Sequence, residues 1–276
     1  AVFYGAATPT QYYTCTGVLI APTIALTAAH CLDETLEADA GIRRVLVTAR
    51  PVMTSSATGS DWLEVVRWRR TPEWTPQLAK VRDLGVLQLA QPIPATPAPP
   101  ISRPLDVVDV GRPMEVVGYG RRVPTVSSSA RQRTVVSLPL RGLTPEHIQL
   151  GEAGVAGVCA GDSGGPSFMT DRDGVRRVVG IHSWTFNDAG CTNGLDTRVD
   201  LYRDFIVDFV TDAGAQSCAS DLVCVPGCQP IDQDCACASD GRCNPTCVNP
   251  RDDADCPLSC EADGFCSTLD CVTPDP

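Results

Sequence analysis

Gly161-Asp162-Ser163-Gly164-Gly165-Pro166 is the most informative stretch of this 276-residue chain, because it sets a serine between glycines in a turn whose backbone amides can converge on one point. A serine hydroxyl attacks an acyl carbon only when a base takes its proton, and the oxyanion then formed must be met by preorganised donors. Gly161 leaves room for an approaching carbonyl, and its amide with that of Ser163 is the natural oxyanion-hole pair. The base should be a histidine, and the chain has His30, His147 and His182.

His30 stands in Leu26-Thr27-Ala28-Ala29-His30-Cys31. With the serine motif this resembles the chymotrypsin-like (trypsin-fold) serine endopeptidases, in that family's order. The family also requires a carboxylate between the two, on a strand start reading Asp-apolar-small-apolar-Leu-x-Leu, and Asp83-Leu84-Gly85-Val86-Leu87-Gln88-Leu89 matches. Asp61, Asp106 and Asp109 open no such pattern and read as solvated loop or strand-edge residues. Cys15-Thr16-Gly17-Val18-Leu19-Ile20, Val116-Val117-Gly118-Tyr119-Gly120 and Gly180-Ile181-His182-Ser183-Trp184 match further, in order. Singly, a histidine among apolar residues is more often a packed core residue and Gly-x-Ser-x-Gly a common turn; jointly they carry the resemblance, which covers about residues 1 to 213. It implies that Ser163 attacks, that His30 accepts and later returns the proton, and that a buried Asp83 fixes the imidazole tautomer and stabilises the imidazolium. Cys15 with Cys31 and Cys159 with Cys191 match family disulfides.

The resemblance also assigns a substrate-binding set: Gly157, Val158, His182, Ser183, Trp184, Thr185 and Gly194. Gly157 stands where enzymes that cut after Arg or Lys carry an aspartate, so a basic preference is disfavoured. Trp184 backs the substrate strand, and Thr185 replaces a usual glycine at the pocket mouth. His182 occupies a position where glutamate-specific relatives also carry histidine; as a wall residue it would instead bond to Asp196, which replaces a usual tyrosine. Two preferences therefore stay open, small or medium apolar residues from Gly157 and Val158, or acidic ones from His182 and the Thr185 hydroxyl. Asp162 is the residue that in the family receives a newly cleaved apolar N-terminus, and Val2-Phe3-Tyr4-Gly5 weakly resembles that terminus. Its short spacing to Cys15 predicts that an early hairpin is missing or reduced.

Short runs such as Val45-Leu46-Val47-Thr48, Val135-Val136-Ser137-Leu138 and Val178-Val179-Gly180-Ile181, broken by Gly, Pro, Asn and Asp, predict an all-β fold. The resemblance makes this two antiparallel six-stranded β-barrels, with the catalytic residues in the cleft between them. Pro92, Pro94, Pro97, Pro99, Pro100 and Pro104 mark the crossing between barrels, about residues 91 to 105. Residues 121 to 133 read as an exposed loop. Asp200 is a plausible N-cap before Leu201, Phe205, Ile206, Phe209 and Val210 at helical spacing, a C-terminal helix expected to pack on the second barrel.

Beyond residue 213 the texture changes. Cys218, Cys224, Cys228 and Cys235 form a unit that Cys237, Cys243, Cys247 and Cys256 repeat, and Cys260, Cys266 and Cys271 start a third copy that lacks its last cysteine. This small tail, residues 214 to 276, has almost no aliphatic core, so covalent bridges must hold it. It reads as cut short and resembles cysteine-rich repeats appended to secreted bacterial proteins. Fifteen cysteines suit an oxidising compartment, and the chain is expected to be secreted or held at a cell surface. A single lysine, Lys80, among 22 basic residues, with abundant Ala, Val and Pro, suggests a GC-rich bacterial coding sequence. No stretch has the apolar length of a membrane span, and no secretory signal is visible at the start, so the chain reads as mature or trimmed.

The net charge is −11, of which residues 214 to 276 carry −9 from ten Asp and one Glu against Arg242 and Arg251. That balance argues against a nucleic-acid partner, and Arg67-Trp68-Arg69-Arg70 reads as a solvated strand edge. Cysteines without histidine favour disulfides over zinc. Calcium on Asp232, Asp234, Asp252, Asp253 and Asp255 is the one cofactor expectation beyond none, since alternate carboxylates suit a hard cation. The chain thus reads as a serine endopeptidase acting on protein or peptide substrates, with a tail that binds a cell surface or another extracellular component. A catalytically silent protease-fold binding module, or a surface-attachment protein dominated by its tail, are the alternatives.

Overall fold

A computed structural model of the protein describes residues 2–6, 12–32, 42–53, 62–75, 81–151, 156–185, 191–215, 222, 259–260 and 266–267. The β-branched runs become strands. In the first half they are β1 (Val2–Ala6), β2 (Tyr12–Cys15), β3 (Val18–Ala21), β4 (Ile24–Thr27), β5 (Ile42–Val47), β6 (Leu63–Arg70) and β7 (Gly85–Leu89). In the second they are β8 (Pro113–Gly118), β9 (Thr134–Leu143), β10 (His147–Leu150), β11 (Pro166–Thr170), β12 (Arg176–Trp184) and β13 (Gly194–Arg198). Along β8 and the first half of β9 outward and inward side chains alternate, as in a sheet with one wet face, whereas β4 is buried at every position.

The second six strands close into an antiparallel barrel in the order β10-β13-β12-β11-β8-β9. The first sheet differs from the expected six-stranded barrel: it has seven strands, β2-β1-β5-β6-β7-β4-β3, and hydrogen bonds do not join its ends. The reason is local. β2 and β3 are consecutive in the chain, parted only by Thr16-Gly17, and the Thr16 amide leaves the ladder to donate to the Ser163 carbonyl at 2.7 Å. One long strand is split there, and covalent bonds complete the ring. The early hairpin, expected to be reduced, is present as β1 and β2. Val2–Ala6 is hydrogen-bonded on both sides, Val2 lying opposite Cys15 and Val47, so the stretch that resembled an activation terminus is a sheet strand.

The proline-marked crossing runs between the two sheets and bonds to both. Ala98 N–H donates to Leu19 of β3, and Ile101 N–H to Val178 of β12. Arg103 locks its end, with Nη1 and Nη2 on the two Asp109 carboxylate oxygens at 2.7 and 2.8 Å and Nε on Asp171 at 2.8 Å. Asp109, expected to be solvated, has no exposed surface; burial pushes its carboxyl up, but bonds from Arg103, Arg112 and the Asp106 amide together hold it down at about 2. Asp106 is exposed and caps the 3₁₀ turn Val107–Asp109.

The C-terminal helix, α1 (Arg203–Asp212), buries Ile206, Phe209 and Val210. Asp200 is not its N-cap: it sits in the preceding 3₁₀ turn, where its carboxylate accepts from Leu105 N–H and pairs with Arg198. Nor is the helix anchored on the second barrel. Arg67 and Arg69 of β6 lie over the Phe209 ring, Arg69 reaches Asp212 at 2.6 Å, and Gln88 of β7 donates to the Ala213 carbonyl. The basic run thus faces the electronegative end of a helix rather than open water. Leu222 is 5% exposed and belongs to the main core, so packing extends beyond residue 213. Of the tail, only the short pair β14 (Ser259–Cys260) and β15 (Cys266–Ser267) is otherwise described. Apart from the backbone of Cys260 and Cys266, the repeat cysteines lie outside the described residues, as do the calcium carboxylates and Asp61.

Arg103→Met is expected to lower stability by about 3–5 kcal/mol in urea unfolding at neutral pH, because it removes the buried cation shared by Asp109 and Asp171 and leaves them only the more peripheral Arg112 and Arg177. The folded pKa of Asp109 lies below the ordinary 3.8, so its contribution is present above that value and lost as pH falls toward about 2; the acid limb of stability should flatten in the variant. Leu222→Ala should cost about 2–5 kcal/mol, and a change near zero would put the end of the core before this residue.

Candidate active site

Asp83 lies two residues before the start of β7 and has no exposed surface. A bare carboxylate there would be costly, but it accepts from His30 backbone N–H at 2.8 Å, lies 2.7 Å from His30 Nδ1, and accepts from the Ser183 hydroxyl at 2.6 Å. His30 lies in the 3₁₀ turn Ala29–Leu32 that ends β4, with its side chain 30% exposed. Holding both the backbone and Nδ1 leaves the ring few orientations and leaves Nε2 as the nitrogen not engaged by Asp83. Ser183, expected on the substrate strand, is buried and directs its hydroxyl to Asp83; Thr197 adds a bond to the Asp83 carbonyl at 3.2 Å.

The serine turn is tied to the same segment. Thr16 N–H donates to Ser163 carbonyl, the Thr16 hydroxyl donates to Gly161 carbonyl at 2.9 Å and accepts from Tyr119 N–H at 3.1 Å, and Thr27 hydroxyl donates to Thr16 carbonyl at 2.8 Å. Cys31 Sγ lies 3.8 Å from the Ser163 carbonyl oxygen. Gly164 rests against the strand that leads to His30: a β-carbon there would come within 2.1 Å of Thr27 Oγ1 and 2.9 Å of Ala28 N. Thr16 and Thr27 are polar, almost fully buried, and were not singled out from sequence; the one trace was a threonine interrupting an apolar strand.

Within the turn, Asp162 N–H donates to Cys159, Gly164 N–H to His182, and Gly165 N–H to Asp162. The amides of Gly161 and Ser163 donate to no acceptor among the described residues, and Gly161 has φ +97°, a conformation that suits glycine. Disulfides Cys15–Cys31 and Cys159–Cys191 brace the two sides. Asp162 is half-buried, with its carboxylate on the amides of Gly120 at 2.8 Å and Cys159 at 2.9 Å. Desolvation pushes this carboxyl above its ordinary range, against the charge of His182 and those two amides.

His182 is 1% exposed, with Nδ1 2.8 Å from Oδ1 of the fully buried Asp196. Burial opposes its charge, yet Asp196 and Asp162 together raise its pKa. Gly157 and Gly194 are packed rather than open. A β-carbon on Gly157 would meet the Asn193 backbone at 2.3 Å, and one on Gly194 would meet Val158 Cγ2 at 2.4 Å. Val158 is 2% exposed, while Trp184 and Thr185 are half-buried at the end of β12. Among the described residues one group could supply three metal ligands, Cys15, His30 and Cys31, but its sulfurs are joined to each other and it offers a single imidazole.

The arrangement can take a proton from a hydroxyl and hold an oxyanion, which is acyl-transfer chemistry. The sequence profile of the trypsin family matches residues 2–206. Mouse (Mus musculus) chymotrypsin-C is 27% identical over 226 residues, covering 71% of this chain and 78% of that protein.

Thr16→Val keeps the shape but leaves Tyr119 N–H and Gly161 carbonyl unpaired. A loss of about 1–3 kcal/mol in urea unfolding is expected, with a slower acylation of Ser163 by a fluorophosphonate; unchanged acylation would show that the hydroxyl does not align the turn.

Proposed function

Because the chain belongs to the trypsin family, we propose that it is a serine endopeptidase hydrolysing peptide bonds through an acyl-enzyme on Ser163. His30 Nε2 takes the Ser163 hydroxyl proton as Oγ attacks the substrate carbonyl carbon. The carbonyl oxygen becomes an oxyanion and is met by the amides of Gly161 and Ser163. Collapse of this intermediate breaks the C–N bond, and the His30 proton passes to the leaving amine. Water then attacks the ester by the same route in reverse, releasing the acid and restoring Ser163. Asp83 keeps the imidazole oriented and stabilises its cation without itself taking the proton. The observation that carries the reading is a fully buried Asp83 gripping His30 at both backbone and ring, beside a serine turn in which the Gly161 and Ser163 amides donate to no acceptor among the described residues.

For the residue before the scissile bond we favour a small or medium apolar side chain. Gly157 brings no charge, and Val158 packs on Gly194 to make an apolar wall. An acidic preference is disfavoured, because Asp196 occupies His182 Nδ1 and would add a second negative charge beside any substrate carboxylate. Disulfides in the barrel region support an extracellular site of action, and the cysteine-rich residues beyond the core are taken as a separate tethering element.

Ser163→Ala should lower peptide hydrolysis by about 10⁴-fold or more in a protein that still folds. The same assay, run on peptides differing only in Glu, Ala, Leu or Arg before the bond, should rank Ala and Leu above Glu and Arg. Near wild-type turnover in the alanine variant would end the protease assignment, and dominant cleavage after Arg or Glu would end the apolar one.

A further inference from the structure

His182 is a shielded, ionisable side chain that the proposed chemistry does not use. It lies in β12, fastened at Nδ1 by Asp196 of β13, and its backbone is bonded to the serine turn in both directions: Gly164 N–H donates to the His182 carbonyl at 2.7 Å, and His182 N–H to the Gly165 carbonyl at 2.8 Å. The ring presses on Gly165, where a β-carbon would come within 2.8 Å of His182 Cδ2, 2.8 Å of the Asp162 carbonyl oxygen and 2.5 Å of the Val117 carbonyl oxygen. No side chain can therefore stand between the imidazole and the residue preceding Ser163. The second ring nitrogen, Nε2, is buried, and the Val117 carbonyl favours a proton on the ring. Among the described residues, the charged groups facing the ring are Asp196 from β13 and Asp162 from the serine turn, while β8 contributes only the Val117 carbonyl.

We propose that His182 is a positioning residue: a cation held on Asp196 that keeps the Asp162 carboxylate seated on the Gly120 and Cys159 amides and so keeps the Gly161 and Ser163 amides aligned. The inference deepens the serine-protease reading and rests on it. The charge balance agrees. Burial disfavours an imidazolium, but the two carboxylates reverse that and raise the His182 pKa; desolvation raises the Asp162 pKa, and the His182 charge pulls it back. Without the cation, Asp162 takes a proton more readily and becomes a weaker acceptor for both amides, so the turn loses the anchor next to the nucleophile. The raised His182 pKa sets the sign: the cation is present below the ordinary histidine value and disappears as pH rises through the raised value, so activity should fall on that alkaline limb.

This role differs from a contact with the substrate side chain in what it predicts. With full-length His182→Gln, kcat should fall by about 10²-fold, the scale of a misplaced oxyanion donor, and equally for peptides with Glu, Ala or Leu before the bond, while KM moves little. Asp196→Asn keeps an acceptor at Nδ1 but removes its charge, and should shift the alkaline limb of kcat to lower pH. Two outcomes would overturn the proposal: a His182→Gln loss confined to Glu peptides, which would make His182 a substrate contact, or full kcat in a folded His182→Gln. An unmoved limb in Asp196→Asn would also overturn it, even if His182→Gln failed to fold. A wild type inert to both fluorophosphonate and peptides would instead remove the protease reading itself.

Discussion

The Asp83 carboxylate, sealed from solvent between the two sheets, is the constraint around which the site is arranged. An ion in that position is tolerated only if its lone pairs are filled, and three donors from three places fill them: the His30 amide, the His30 ring and the Ser183 hydroxyl. Each donor fixes something else. The His30 amide sets the 3₁₀ turn after β4, the ring bond sets the imidazole plane, and Ser183 brings β12 of the second barrel to the edge of the first sheet. Thr197 from β13 adds a bond to the same residue. One buried charge thereby aligns two β-structures whose hydrogen-bonded sheets are otherwise separate.

Thr16 works on the nucleophile side in the same way. By leaving its own strand to bond Ser163, Gly161 and Tyr119, it trades ladder continuity in the first sheet for a fixed serine turn. Buried backbone groups must find partners somewhere, and here the partners come from across the cleft. The serine turn is held by Thr16 at Ser163 and by His182 at Gly164 and Gly165.

The motifs that carry chemistry were legible because reactive geometry demands particular residue types: a histidine after a small-residue strand, an aspartate at a strand start, a serine among glycines. The supporting contacts were not, because buried hydroxyls such as Thr16, Ser183 and Thr197 look in sequence like any other strand residues. Strand content was readable from β-branched runs; the split at Thr16-Gly17 was not, since it follows from a contact with Ser163, far away in the chain. Asp109 read as a surface acid and Asp200 as a helix cap because their cations, Arg103 and Arg198, give no sign of partnership until the crossing segment folds back. The helix was found by its apolar spacing, but which sheet it would cover depended on Arg67 and Arg69, whose stems and charges both serve it.

The pocket walls illustrate how geometry turns composition into selectivity. Gly157 alone suggests an open, uncharged base, yet the Asn193 backbone stands where its β-carbon would be, and Val158 fills the space that Gly194 leaves. Such a site discriminates by shape against apolar neighbours, and a methylene more or less in an apolar pocket is worth only about 1–3 kcal/mol. Charge is treated more severely. A substrate carboxylate would have to share a dry wall with Asp196, whose one nearby cation is already engaged, and a substrate guanidinium would find no acid at Gly157. The protease proposed above would then tolerate apolar residues and reject either charge, with His182 serving the catalytic turn rather than the substrate.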